Sequence, residues 1–252
     1  FIFCKGELKS VRKIMDILNH FHSLSGLQIN KQKNDLFHGG IKNSELSGIL
    51  DCLDFKEGSL PIRYLGIPLM SRKLRATDCA PLLERISNKL NCWANKWLSY
   101  AGRLVLIKSV LYSIFSFWAS VILVPKGIIK EIERKFRAFL WRGTGARIAW
   151  EKICTPKEEG GLGLRNLTDI NFVFNIKHFW RFYFCRDTFW SKWIQLNYIK
   201  SGSIWTLEPN YRFGWIMKML LNCREVVRPH IKHCIEDGMN TLFWHDRRHG
   251  LT

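Results

Sequence analysis

Residues 99–142 read SYAGRLVLIKSVLYSIFSFWASVILVPKGIIKEIERKFRAFLWR, and this stretch decides the fold class. Apolar residues recur in it with the period of an α-helix. Pro125 interrupts the pattern, because the proline ring cannot continue a helix. The stretch therefore predicts two consecutive helices, 99–124 and 126–142. Helices of this kind bury their apolar faces against other helices, so we expect a helical bundle.

The first of these helices has no charged residue between Ser109 and Val124. A helix that spans a bilayer needs about 20 predominantly apolar residues. This run is shorter, contains several serines, and is closed by Lys108 on one side and Pro125 on the other. We therefore expect a buried helix of a helical bundle, and no membrane partner.

The chain before the bundle alternates between strand and helix patterns. Phe1–Cys4 has the composition of a buried strand, and the helix that follows it ends before Gly26, a typical C-terminal glycine. A short basic strand at 28–37, a helix that Ser44 can cap, and a strand at 63–69 complete this part. The order predicts a layer of mixed α and β structure.

Helical periodicity also extends over 77–97 and from 168 onward. Between these helices, GGLGLR (160–165) breaks the pattern. It lacks the Lys-Ser/Thr pair of a phosphate-binding loop, so we do not expect it to bind nucleotide. Several tryptophans fall on apolar helix faces, and we expect them in the core rather than stacked on bases. These are Trp93, Trp97, Trp118 and Trp141.

The charge balance restricts the function. There are 39 Lys and Arg against 21 Asp and Glu, a net charge of +18. A compact chain with this excess repels itself, and a polyanion relieves the repulsion. Nucleic acid is the favoured partner, an anionic membrane surface is second, and a basic protein without a special partner is the third alternative.

The cysteines indicate the compartment. Eight are scattered along the chain, with no C-x-x-C pair and no zinc-ligand spacing. This pattern is typical of reduced thiols, so we expect an intracellular protein, nuclear or cytoplasmic, without a metal site.

Motifs in a fixed order resemble the reverse transcriptases of plant non-LTR (LINE-like) retrotransposons. Each motif is weak alone, and their order along nearly the whole chain carries the resemblance. They are SGLQINKQK (25–33), YLGIPL (64–69), GRLVLIKSVL (102–111), the run WRG, AWE, CTPK and GGLGLR within 141–165, and GMNTLFWHD (238–246).

The resemblance implies an architecture. Residues 1–70 would be the end of a polymerase palm, with short strands and two helices. Residues 71–145 would form a helical thumb, and 146–252 a Trp-rich helical connecting region. The expected fold class is therefore α+β, mostly helical.

The resemblance also implies a missing catalytic centre. The family's catalytic tetrad, a hydrophobic residue followed by Ala-Asp-Asp, would stand before Phe1, and no Asp-Asp or Asp-x-Asp pair occurs in the sequence. Polymerases use paired carboxylates to hold two metal ions. We therefore expect a fragment of an RNA-directed DNA polymerase that is inactive alone. Magnesium and deoxynucleotides would belong to the intact parent enzyme, and the fragment would need no cofactor. The alternatives are a non-enzymatic nucleic-acid-binding protein and a degenerate retrotransposon-derived reading frame.

The expected partners are RNA and DNA in a primer-template. Lys33 would act near the triphosphate in the parent enzyme, with Lys31 as a cationic neighbour that makes it a better acid. The alternative is two solvated lysines. Tyr64 and Gly66 would form a turn that approaches a nucleic-acid strand, or else an edge strand with a buried tyrosine.

Basic residues after that turn would contact phosphates, which gives affinity that falls steeply with salt. The alternative is an ordinary solvated face. No catalytic or metal-binding residue is predicted. The predicted nucleic-acid-binding residues are Lys31, Lys33, Tyr64, Gly66, Arg72, Lys73, Arg75, Arg103 and Lys108.

Overall fold

The computed structural model is mostly helical with a few short strands, which confirms the predicted fold class at this level. The chain divides into two compact units, Phe1–Arg72 and Lys73–Thr252. The palm, thumb and connecting region remain predictions from the sequence. The residues that the structure describes are 2–70, 72–94, 97–141, 148–200 and 202–231.

The first unit packs two helices beside two small sheets. Strands β1 and β2 pair in parallel through the crossover helix α2, and β3 and β4 form an antiparallel hairpin. Val11 of α1 is buried against Ile49 and Leu53 of α2. The elements are α1 (Leu8–Ser25), β1 (Asp35–Leu36), α2 (Asn43–Leu53), β2 (Lys56–Glu57), β3 (Ile62–Tyr64) and β4 (Ile67–Leu69).

Both predicted helices of this unit are present. Gly26 ends α1 in the left-handed conformation, with φ of 72°, and its N–H donates to the carbonyl of His22 at 2.8 Å, as predicted. The predicted cap of α2 is wrong. That helix begins at Asn43 with Lys42 as the N-cap, so Ser44 already lies inside the first turn and cannot cap it.

The predicted strand at the start of the chain is wrong. Phe1 lies outside the described residues, and Ile2, Phe3 and Cys4 are exposed and irregular. A strand needs a neighbour for its backbone hydrogen bonds, and neither sheet of the described chain includes this segment. The apolar composition of this segment does not determine whether a neighbouring strand is present.

The other two strand predictions need correction in length. Within 28–37, Lys31–Lys33 forms a 3₁₀ turn, and only Asp35–Leu36 is a strand. The segment 63–69 is a two-stranded hairpin rather than one strand. Leu65 and Gly66, with φ of 51° and 87°, reverse the chain between its strands.

The second unit is helical in its described residues. A π-helical turn, Ile107–Leu111, joins α4 to α5 without a break, and Pro125 is the N-cap of α6, as the sequence predicts. The elements are α3 (Ala80–Ala94), α4 (Tyr100–Leu106), α5 (Tyr112–Ala119), α6 (Lys126–Leu140), α7 (Trp150–Ile153), α8 (Leu167–Phe184), α9 (Phe189–Ile194) and α10 (Trp215–Val227).

The buried face of α6 follows the helical period of its apolar residues. Five of its apolar residues recur at helical spacing and are buried, Phe139 is half-buried, and Lys126, Lys130 and Arg134 are exposed. Phe136 is fully buried between Tyr112 and Trp150, with ring centroids 6.0 and 6.4 Å away. Truncating such a ring typically costs about 3–5 kcal/mol. The buried residues of α6 are Ile128, Ile129, Ile132, Phe136 and Leu140.

The continuous helix Tyr100–Ala119 is long and apolar enough to cross a membrane by length and composition, and 33% of it is buried. A core helix passes the same test. Ile107, Leu111 and Phe115 are fully buried within the unit, whereas Ser109 is exposed. This one-sided burial favours the predicted bundle helix.

The tryptophan predictions have mixed outcomes. Trp118 is buried, as predicted, and Trp93 and Trp141 are half-buried. Trp97 is 95% exposed, so its predicted core position is wrong. Helix α3 ends at Ala94, and the helical period therefore no longer determines which way Trp97 faces.

Candidate nucleic-acid interface

The positive charge is concentrated in the second unit. Phe1–Arg72 contains ten Lys and Arg against seven Asp and Glu, whereas Lys73–Thr252 contains 29 against 14. Most of the net charge of +18 therefore belongs to the helical unit. A polyanion would meet its strongest field there.

Lys31 and Lys33 lie on the 3₁₀ turn of the first unit. Asn30 caps this turn, because its Oδ1 accepts the N–H groups of Gln32 and Lys33 at 3.0 and 3.2 Å. The Lys31 ammonium pairs with the Asp54 carboxylate at 3.0 Å, and both side chains are exposed. An exposed pair contributes only about 0–1 kcal/mol. Lys31 thus has an acidic partner, which weakens the hypothesis that it activates Lys33.

The hairpin presents Tyr64 at its turn. Tyr64 pairs with Ile67 across the strands, and its side chain is 48% exposed. The alternative of an edge strand with a buried tyrosine is therefore wrong. Gly66 has a positive φ that suits glycine in a two-residue turn. The turn is confirmed, and its contact with nucleic acid stays a prediction.

Arg72, Lys73 and Arg75 are all exposed. Arg72 ends the first unit and Lys73 begins the second. The N–H of Arg75 donates to Asp78 Oδ2 at 2.7 Å, which fixes the start of the turn that leads into α3. The structure therefore presents these three side chains at the surface, as phosphate binding requires.

Arg103 and Lys108 lie on the helix that continues from α4 into the π-helical turn, and both are half-buried. Lys108 Nζ donates to the carbonyl oxygen of Leu162 at 2.9 Å. Lys108 therefore holds the glycine-rich loop, a role within the fold that the sequence did not predict. Its predicted phosphate contact would compete with this bond.

The same loop borders a cleft of about 1120 Å³. Serines of the π-helical turn and α5 line one side, and the loop and the start of α8 line the other. Glu151 and Asp169 lie in the lining together with Lys108 and Arg165, so the charges of the cleft are mixed. This composition does not favour a phosphate.

Cys154 also lines the cleft. Burial, with a smaller effect from Glu133 and Glu151, raises the pKa of its thiol to about 12. The thiol is therefore protonated at neutral pH and is a poor nucleophile. In the described part of the chain, no group of three or more His, Cys, Asp or Glu side chains could hold a metal ion.

Exposed cations on α6 were missed by the sequence predictions. Lys126, Lys130 and Arg134 are exposed, and their spacing of four residues places them along one side of the helix. Glu131 offsets part of this positive charge, since its Oε1 lies 3.9 Å from Arg134 Nη2. The sequence contains this spacing of four residues, but it indicates an exposed row only when the buried face of α6 is known.

Glu133, the other acid of α6, faces the interior. Its carboxylate accepts the N–H of Leu167 at 3.3 Å, at the N-terminus of α8. Burial raises the pKa of Glu133, and the hydrogen bond from Leu167 partly offsets this rise. The hydrogen bond thus satisfies a backbone N–H at the start of α8, and the inward position of Glu133 leaves the outer face of α6 more basic.

Comparison with known proteins gives distant relatives in plants, and no protein-family model matches the sequence. The chain is 30% identical over 189 residues to an Arabidopsis thaliana protein described as a "putative ribonuclease H protein". The match covers 72% of this chain but only 30% of that protein. An uncharacterized mitochondrial protein of the same plant is 25% identical over 130 residues, which cover 49% of this chain and 84% of the relative.

Proposed function

We propose that the chain is part of an RNA-directed DNA polymerase of a plant LINE-like retrotransposon and supplies a surface that grips nucleic acid. The observation that carries this proposal is the ordered series of motifs along nearly the whole chain. The basic second unit supports it, because Lys and Arg contacts to phosphates hold a duplex without reading its sequence. Such a protein would work inside the cell, in the nucleus or the cytoplasm.

The relative named for ribonuclease H adds support. The name of that relative is the name of a nuclease, an enzyme that acts on nucleic acid. This chain spans 30% of that relative, so the activity of the whole relative is not transferred to it. What we propose for the shared segment is contact with nucleic acid.

The grip is assigned to the exposed cations Arg72, Lys73 and Arg75. Lys31, Lys33, Tyr64, Gly66 and Arg103 remain secondary assignments. Lys108 is the weakest member of the set, since its ammonium already bonds Leu162.

The test is the binding of the 252-residue chain to a labelled RNA–DNA primer-template at several salt concentrations. We expect log affinity to fall linearly with log salt. The triple variant Arg72→Gln/Lys73→Gln/Arg75→Gln should reduce the slope by about 2–3, at ~0.9 per phosphate contact.

A matched control removes the same charge elsewhere. Lys9, Arg12 and Lys13 are exposed on α1, and their replacement by Gln should change the slope much less. Equal loss of slope in both triples would mean that net charge alone is responsible. If the folded chain does not bind at low salt, the proposal fails.

A non-enzymatic nucleic-acid-binding protein is the second candidate, because the sequence contains no Asp-Asp or Asp-x-Asp pair. In the family that the chain resembles, such a pair belongs to the two-metal centre. Genomic sequence upstream of the codon for Phe1 separates the candidates. An in-frame Ala-Asp-Asp tetrad there would favour the polymerase, and its absence would favour the binding protein.

A further inference from the structure

One side of α8 exposes aromatic and basic side chains together. Lys177, Trp180, Arg181 and Phe184 are spaced by three, four and seven residues, so they share one face of the helix. All four are exposed, Trp180 by 46% and Phe184 by 51%. The two rings adjoin, with centroids 4.2 Å apart and planes at 32°.

These rings lie outside the buried face of α8. The inner face of α8 buries Asn171, Asn175, Phe179 and Phe182, and Phe179 packs on Trp205 with centroids 5.9 Å apart. Asn171 holds the backbone of the α5–α6 connection. An outer face with no function would ordinarily be polar. Two adjoining exposed rings on the outer face depart from this pattern.

The charge around the rings favours an anionic partner. Between Asp169 and Glu208 the sequence has a single carboxylate, Asp187. Asp187 pairs with Lys192 at 3.4 Å. Five Lys and Arg lie in the same interval, including Lys177 and Arg181 beside the rings. The face therefore combines two apolar rings with the exposed cations Lys177 and Arg181.

We propose that this face of α8 binds single-stranded nucleic acid, with bases stacked on Trp180 and Phe184 and phosphates contacted by Lys177 and Arg181. Aromatic platforms beside cations suit unpaired strands, because every base offers a π-face once it is unstacked. In a duplex the base faces are already covered by neighbouring bases. This proposal rests on the proposed function and deepens it, since it adds a site for the unpaired part of a template.

The test compares one short oligothymidylate strand with a blunt duplex of the same length, by fluorescence anisotropy with the full chain. Trp180→Ala should weaken binding of the single strand roughly 5- to 150-fold, the range for the loss of one stacked base. It should leave duplex binding unchanged. Phe184→Ala should act in the same direction, and Trp180→Phe, which keeps a π-face, should retain most of the affinity.

Two further variants provide controls. Trp97 is 95% exposed and lies outside this face, so Trp97→Ala should bind both ligands as the wild type does. Lys177→Gln/Arg181→Gln should reduce the salt slope for the single strand by about 1.4, at ~0.7 per phosphate. Circular dichroism verifies that each variant keeps its helices.

The proposal is overturned if Trp180→Ala and Phe184→Ala bind the single strand as tightly as the wild type does. It is also overturned if they lose duplex and single-strand binding equally, or if the wild type binds anionic phospholipid vesicles through this face but not the oligonucleotide. Salt-dependent binding of the wild type to the primer-template would then leave the proposed function standing. If the wild type binds neither nucleic acid, the proposed function fails as well.

Discussion

Replacing Lys108 by Met tests whether this lysine serves the fold or the nucleic acid. Lys108 Nζ donates to the carbonyl oxygen of Leu162 at 2.9 Å, and the side chain is half-buried. A hydrogen bond from a charged group contributes about 1.5–3 kcal/mol. Because Lys108 is partly solvated, we expect a loss near the lower end, ~1.5 kcal/mol. For a unit of this size the melting temperature should fall by about 3–6 °C.

The second readout is the salt dependence of primer-template binding. If Lys108 serves the fold, Lys108→Met leaves the slope of log affinity against log salt unchanged. The matched control is Lys89→Met, since Lys89 is exposed on α3. That variant should keep its stability within about 0.5 kcal/mol and, if Lys89 contacts a phosphate, reduce the slope by ~0.9. The reasoning is refuted if Lys108→Met melts like the wild type while its slope falls.

Three other substitutions test the packing of the second unit. Asn171→Ala should lower the free energy of unfolding by about 2–4 kcal/mol, measured by thermal melting. The N–H and the carbonyl of buried Val124 would lose their hydrogen bonds of 3.2 and 3.1 Å to Asn171. A loss under about 1 kcal/mol would contradict this pairing. Gly161→Ala should cost about 1–3 kcal/mol, since its Cβ would overlap the carbonyl of Thr155, and a neutral result would mean that the loop shifts freely. Burial raises the pKa of Glu133, so the neutral side chain contributes stability that is fully present below about pH 4.5 and is lost as pH rises through the folded pKa. Glu133→Gln should therefore gain stability relative to the wild type as pH increases. Parallel curves of stability against pH for the two proteins would contradict the raised pKa.

The helices were predictable because their apolar period is determined by local sequence. Pro125 and Gly26 mark helix ends through their own geometry, and both acted as predicted. The strands were less predictable. A pair such as β1 and β2 depends on a neighbour about twenty residues away in the chain, and Leu65 with Gly66 divided one apolar run into a hairpin. Pairing of this kind is not encoded in local composition.

The sequence also does not determine which side chains of α8 are exposed to solvent. Helix α8 is apolar on nearly every side, so its sequence cannot tell that Phe179 faces inward and Trp180 outward. That difference is decided by α10, which packs against one side of α8. The prediction that tryptophans belong to the core is right for Trp118, which lies within α5, and wrong for Trp97, which lies beyond the end of α3.

Part of the positive charge serves the fold, so the net charge overstates the surface available to a polyanion. Arg224 donates to the carbonyls of Ile204 and Leu207 at 3.0 and 2.7 Å, and Lys218 donates to that of Tyr211 at 3.0 Å. Lys and Arg suit this task because they carry several donors on long side chains. In cations held in this way, the bonds to carbonyl oxygens compete with contacts to a phosphate backbone. The measured salt slope should therefore correspond to far fewer phosphates than the net charge of +18 suggests.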